Sequence, residues 1–237
     1  MTERSAARLR RDADTLQIGP SRLAWHDGRL EIDIDEITAP WPTRLRGRVT
    51  LTPSVQPDGS FALDGAGRHR WSPIAPHARI DVALEQPAQR WHGTAYLDSN
   101  RGDAPLESAF SDWHWSRAAL PDGRSAVLYD VARRDGTALS LGLAFDTRGG
   151  IDTFEPPPLH MLPASHWRIT RSTRCDAGAQ AKVLRTLEDG PFYARSLVAS
   201  QWRGEPVRMV HESLSLQRFS ARWVQMLLPF RMPRRGD

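Results

Sequence analysis

The sequence predicts a mainly-β fold, an antiparallel sandwich or barrel, and three observations carry that expectation. Short segments with alternating apolar and polar residues recur from one end of the chain to the other. A period of two is the mark of a strand with one buried face. Turn signals such as PDGR (121–124) and RDGT (134–137) punctuate these segments, and their close spacing suits hairpin-connected meanders.

Taken in order, SAARLRRDA (5–13) has the composition of a short helix. LEIDIDEI (30–37) and RLRGRVTLT (44–52) alternate as half-buried strands should. ARIDVALE (78–85), WHGTAYLD (91–98), SAVLYDVAR (125–133) and ALSLGLAFD (138–146) continue the pattern. EPPPLHMLP (155–163) is Pro-rich and reads as a connection. HWRITRSTR (166–174), KVLRTLEDG (182–190), FYARSLVAS (192–200) and PVRMVHESLSL (206–216) read as further strands. FSARWVQMLL (219–228) fits a helix or a last strand, because its periodicity suits both. No internal repeat is visible.

At 237 residues, 40% of them hydrophobic, the chain can bury a substantial core in one large or two small domains. Its apolar runs all fall short of the ~20 residues a spanning helix needs. The first residues, MTERSAARLRRDADTLQIG, lack the apolar stretch of a secretory signal. Cys175 is the single cysteine, which excludes an internal disulfide and suits a reducing compartment, so a cytoplasmic location is expected. The net charge of +4 is carried almost wholly by arginine, since Lys182 is the one lysine. Without a basic helix or binding motif, that charge does not point to nucleic acid. The string MLLPFRMPRR (226–235) joins apolar residues to Arg231, Arg234 and Arg235, a composition suited to peripheral contact with an anionic membrane.

Familiar motifs fail on spacing. GAGRHR (65–70) lacks the third glycine and the following helix of a dinucleotide site. DSNRGD (98–103) departs from a calcium loop, with Ala109 where a bidentate Glu belongs. HESLS (211–215) is not a zinc-protease helix, the eight histidines form no recognisable zinc pair, and no G-x-S-x-G occurs. No metal and no cofactor is expected.

What remains is the strand at 91–98. Alternation places His92, Thr94, Tyr96 and Asp98 on one face. By the same rule His69 and Trp71 share a face in RHRWSPIAPHARI (68–80). Such a face is either wetted by solvent or functional, because each unsatisfied polar group costs ~1–3 kcal/mol when buried. A second concentration, FSDWHWSRA (110–118), sets Trp113 and Trp115 on one strand face, as core or as the wall of an apolar tunnel.

WHGTAYLDSNRGDAPLESAFSDWHWSRA (91–118) resembles the signature region of the bacterial carotenoid 1,2-hydratases, or hydroxyneurosporene synthases. The likeness extends to AGRHRWSPIAP (66–76), RSTRCDA (171–177), LEDGPFYARS (187–196), HESLSL (211–216) and MLLPFRMPRR. It covers nearly the whole chain, although family members carry roughly a further hundred residues ahead of the point matching Met1. The resemblance implies a lipocalin-like all-β barrel or sandwich of two related β-domains, the first incomplete. Residues 1–60 would be the remainder of that first domain, and residues 61–237 the second, carrying the site. It also implies cofactor-independent addition of water to the terminal 1,2 double bond of acyclic carotenoids such as neurosporene and lycopene. The positions matching the family's proposed catalytic set are His69, Trp71, Tyr96 and Asp98.

Hydrating an isolated alkene requires a proton on carbon and capture of the resulting cation by water. Asp98 is expected to deliver the proton from an apolar setting that favours its neutral form. Tyr96 and His69 would hold that proton and position the water, or His69 would take the water's proton. Trp71 would face the cation, with Trp113, Trp115 and His92 binding substrate. The alternatives are a non-catalytic lipid- or pigment-binding module and a related isoprenoid lyase or cyclase. The partners expected are the acyclic carotenoid, water and a membrane surface contacted peripherally.

Overall fold

A computed structural model describes residues 4–38 and 41–231. Its strands are β1 (Leu9–Arg11), β2 (Thr15–Ile18), β3 (Ser21–His26), β4 (Arg29–Ile37), β5 (Arg44–Val55), β6 (Phe61–Ala62), β7 (His69–Gln86) and β8 (Ala88–Gly102). After the short helix α1 (Leu106–Ala109) come β9 (Phe110–Ala119), β10 (Ser125–Arg133), β11 (Ala138–Phe145), β12 (Ile151–Thr153), β13 (Leu159–Leu162), β14 (Arg171–Arg174), β15 (Lys182–Asp189), β16 (Tyr193–Trp202) and β17 (Glu205–Ser215). Helices α2 (Leu216–Phe219) and α3 (Arg222–Arg231) follow. The fold is dominated by antiparallel sheet, as the alternation predicts.

Three readings change. SAARLRRDA is one 3₁₀ turn at Ala6–Arg8 followed by β1, because Leu9–Arg11 gain ladder bonds to Leu16–Ile18 that an isolated helical turn cannot match. EPPPLHMLP is only partly a connection. Its run of three prolines ends at Pro158, and the next four residues, Leu159 to Leu162, each keep a backbone N–H and pair as β13 with β14 before Pro163. FSARWVQMLL resolves as helix through α3. MLLPFRMPRR is helical as far as Arg231; residues 232–237 lie outside the described residues. Among the described residues no helix is long and apolar enough to cross a membrane.

The chain divides into two compact units. Residues 1–56, 75–97 and 225–237 make the first, and residues 57–74 and 98–224 the second. The expected boundary at residue 60 falls near the first crossing between them, and the chain then returns to the first unit at Ala75 and at Gln225. In the first unit, β2 to β5 form an antiparallel meander. Its core is Leu30, Leu51, Ala75 and Ala78, packed by Leu23, Trp25, Ile32, Ala95 and Leu97. The intervening acids of β4 meet the arginines of β5, with Arg48 Nε donating to Asp33 at 2.7 Å and Arg44 Nη2 to Asp35 at 2.8 Å. Such exposed pairs each contribute at most ~1 kcal/mol.

The second unit holds a seven-stranded antiparallel sheet in the order β12-β11-β10-β9-β17-β16-β15. It is open, ending on β12 and β15 rather than closing as a barrel. PDGR and RDGT make the two hairpins that join β9, β10 and β11. In each the Asp carboxylate accepts a backbone N–H two residues on, from Arg124 and Thr137, and the glycine takes a positive φ. Alternation then sorts the sheet into two faces. One carries Ala118, Ala126, Leu128, Val198, Val207, Met209 and Trp202, closed by Leu162, Cys175 and Ala181. The other carries Trp113, Trp115, Tyr129 and Glu212.

Candidate active site

Register builds one wall of the site. Arg195 on β16 lies opposite Glu212 on β17, Glu212 opposite Trp115 on β9, and Trp115 opposite Tyr129 on β10. These four residues form a row across four strands. With Trp113, Asp98 and Asn100, the last three of them line a cavity of about 70 Å³. That volume holds a few water-sized groups, not a long molecule.

Asp98 reaches this cavity from β8 and Trp71 approaches it from β7. The Trp71 indole Nε1 donates to Asp98 Oδ2 at 2.7 Å. Trp71 is fully buried, its ring 5.6 Å from both Phe61 and Tyr129. Phe61 is also its strand partner, β6 pairing Phe61 with Trp71. The indole therefore has little freedom, and its N–H fixes one carboxyl oxygen. The Tyr129 hydroxyl donates to Asn100 Oδ1 at 3.1 Å. Burial pushes that phenol well above its ordinary pKa, and any negative charge on Asp98 or Glu212 pushes it the same way. Tyr129 thus stays protonated at any physiological pH.

His69 sits two residues before Trp71, buried, with both ring nitrogens engaged. Nδ1 meets Asp64 Oδ2 at 2.5 Å and Nε2 donates to the Ala104 carbonyl at 2.9 Å. Burial by itself would raise the Asp64 carboxyl, but the hydrogen bonds from His69 and the Arg68 amide outweigh it and hold the pKa below its ordinary value. The chain after Asp98 runs directly over the imidazole. A Cβ at Gly102 would stand 2.6 Å from His69 Cδ2, so the glycine of RGD is there for the close approach. The Asp103 amide bonds the Arg68 carbonyl in the same place, at 3.1 Å. His69 is thereby tied to the segment that leaves Asp98, with no ring nitrogen left over for the cavity.

The other residues expected at the site are placed as follows. Trp113 and Trp115 line the cavity with Asp98. Tyr96 is half-buried on β8, one alternation before Asp98. His92 is exposed and lines a separate open depression with Trp91, Arg90, Asp81 and Arg48. Tyr129, Asn100 and Glu212 at the cavity were not expected from the sequence. Alternation within PVRMVHESLSL does separate Glu212 from His211, but which strand β17 would face is a matter of long-range pairing.

Fold and cavity together define a class: an antiparallel β-sheet protein presenting a carboxyl in a small pocket of aromatic rings. The fold is shared with the crystal structure of kievitone hydratase from Nectria haematococca, at a TM-score of 0.54 over 84% of this chain and 70% of that one, with 11% identity. The chain belongs to the carotenoid hydratase family, whose CrtC model matches residues 1–237. It is 54% identical over its whole length to the acyclic carotenoid 1,2-hydratase of Thiocapsa roseopersicina and 47% identical to that of Rubrivivax gelatinosus. It spans 58% of the length of each of these relatives.

Proposed function

We propose that the chain adds water to the terminal 1,2 double bond of an acyclic carotenoid, with Asp98 as the general acid. The observation that carries this reading is the Asp98 carboxyl, held by the Trp71 N–H on a small cavity walled by Trp113, Trp115 and Tyr129. Apolar and aromatic walls disfavour a carboxylate and so favour the neutral acid that alkene protonation needs. The same ring faces stabilise the tertiary cation that protonation creates, by ~0.5–2 kcal/mol each. The cavity is large enough for water and the branched end of a polyene, so the rest of the polyene lies outside it. The names of the Thiocapsa and Rubrivivax relatives support the substrate class.

In this reading Trp71 holds Asp98 in place, and His69 with Asp64 positions the segment that follows it. Tyr96, on the same strand as Asp98, remains a proposed participant in holding the acid's proton. The polyene is insoluble in water, which makes a membrane its source. Trp223 and Met226 on α3, 43% and 72% exposed, are the proposed peripheral contact.

The test is incubation of the chain with lycopene or neurosporene in liposomes, followed by chromatography with mass detection. A product heavier by one water is expected. Asp98→Asn keeps the shape and removes the transferable proton, so turnover should fall by ~10²–10⁴-fold. Hydration at an undiminished rate by that variant would sink the acid assignment. Binding of the polyene without any product from the unsubstituted chain would favour a carrier instead.

A further inference from the structure

Asp98 is not the only carboxyl on the cavity. Glu212 faces it from β17, and acid catalysis by Asp98 leaves it without a task. Asp98 accepts from a neutral indole, whereas Glu212 Oε1 accepts from Arg195 Nε at 2.9 Å and pairs with Arg195 Nη2 at 2.7 Å. Arg195 also holds the Tyr193 hydroxyl at 3.0 Å. Burial and the Glu212 charge both push the Tyr193 phenol above its ordinary pKa, so it too stays protonated beside the carboxylate. Two carboxyls thus line one small cavity from different strands, one accepting from an indole N–H and one paired with a guanidinium.

We propose that Glu212 is the base of the hydration, taking the proton from the water that captures the cation. The inference rests on the hydratase reading above. The Asp98 O–H bond breaks and its proton, with the alkene π pair, forms the new C–H bond, leaving a tertiary cation. A water lone pair forms the C–O bond, and that water's O–H bond breaks with its proton passing to the Glu212 carboxylate. A cavity water then returns the proton from Glu212 to Asp98. One alkene and one water are consumed and nothing is oxidised or reduced. Donor and acceptor are separate groups in this scheme, Asp98 reaching the cavity from β8 and Glu212 from β17.

Glu212→Gln tests this in the lycopene assay. As the base, Glu212 governs kcat, so a fall of about 100-fold in kcat is expected with KM within about threefold. The pH profile carries the sharper signature: the loss of rate on the acid side, which reports protonation of the base, should disappear in the variant. Glu212→Asp, which keeps a carboxylate, should regain part of the rate. A second readout needs no turnover. Dodecyltrimethylammonium, kept below its micelle concentration, presents a compact cation on an apolar tail, and its binding is read from tryptophan fluorescence. Glu212→Gln should weaken that binding about tenfold and leave binding of dodecanol unchanged. Failure of the unsubstituted chain to hydrate lycopene would overturn the hydratase reading and the proton transfer with it. Hydration by the unsubstituted chain, with the acid limb and kcat intact in Glu212→Gln, would overturn the role of Glu212 alone. If Glu212→Gln misfolds by circular dichroism, Glu212→Asp decides: a shifted acid limb supports the base and an unmoved limb overturns it.

Discussion

The two faces of the seven-stranded sheet are made by the same strands and treat buried polar groups in opposite ways. On the core face His211 is wholly buried, its Nδ1 2.8 Å from Ser116 Oγ and its Nε2 3.0 Å from Ser213 Oγ. Ser213 also meets His114 Nδ1 at 3.1 Å, and the two imidazoles stack 6.0 Å apart. Every partner in that set is a hydroxyl able to donate or accept, so neutral rings are satisfied without a charge. On the cavity face the polar groups are carboxyls beside an indole, a phenol and a guanidinium. Alternation lets one strand supply both kinds: β9 gives His114 and Ser116 to one side and Trp113 and Trp115 to the other. Polarity in a strand therefore does not by itself mark a site. What marks one is polarity that, besides its partners, also faces a cavity.

Three further experiments separate the two faces, beside those at Asp98 and Glu212. The largest effect is expected on the core face. Trp202 is 1% exposed and its indole donates to the Arg174 carbonyl at 2.8 Å. Trp202→Ala should cost about 3–5 kcal/mol in urea unfolding, through the cavity and the lost hydrogen bond. A loss below 1 kcal/mol would mean that this face is not the stabilising one.

Acid should act next, and through the same face. Burial pushes the His211 pKa down to about 3, helped by the charges of His114 and Arg171, and burial lowers that of His114 as well. The unfolded rings titrate near ~6.5, so below that value the unfolded chain binds protons the folded one refuses. The contribution of these neutral rings is complete above about pH 6.5 and is lost as pH falls from there toward 3. Urea midpoints at pH 7, 6, 5 and 4 should decline by the equivalent of roughly 1 kcal/mol per pH unit. His211→Gln should flatten that decline, and an equally steep decline in the variant would remove His211 as its source.

The smallest effect belongs to the cavity face. Trp71→Phe keeps an aromatic ring between Phe61 and Tyr129 but removes the N–H that Asp98 accepts. One hydrogen bond of about 1–1.5 kcal/mol corresponds to roughly a tenfold loss of turnover. Stability should fall by less than for Trp202→Ala. A variant with full turnover would show that the indole positions nothing, leaving only its packing role.

Much of this was legible beforehand, and the reason is local. Strand β10 coincides with SAVLYDVAR, and β4 differs by one residue from LEIDIDEI, because alternation and turn chemistry act over two to four neighbours. Asp98, Trp71, Trp113 and Trp115 were picked out by the same alternation and by resemblance to the family, and the structure gathers all four at or beside one cavity. The end of the Pro-rich stretch was misread because β13 exists only through its pairing with β14. The working environment of His69 was not legible either: Asp64 and Ala104 meet its two nitrogens from five and thirty-five residues away.

The β class, the faces of individual strands and the family were readable from the chain alone, and so was the set of residues, Asp98 with Trp71, Trp113 and Trp115, that the fold gathers at or beside the cavity. These follow from side-chain period and from strings of residues read in order. What faces what came from long-range strand pairing. Glu212 shares a cavity with Asp98, Tyr129 is hydrogen-bonded to Asn100, and His69 is turned to a carboxylate and a carbonyl. Those choices depend on which strands pair and in which register, and a hydrogen bond joining residues tens of positions apart leaves no periodic trace in the chain.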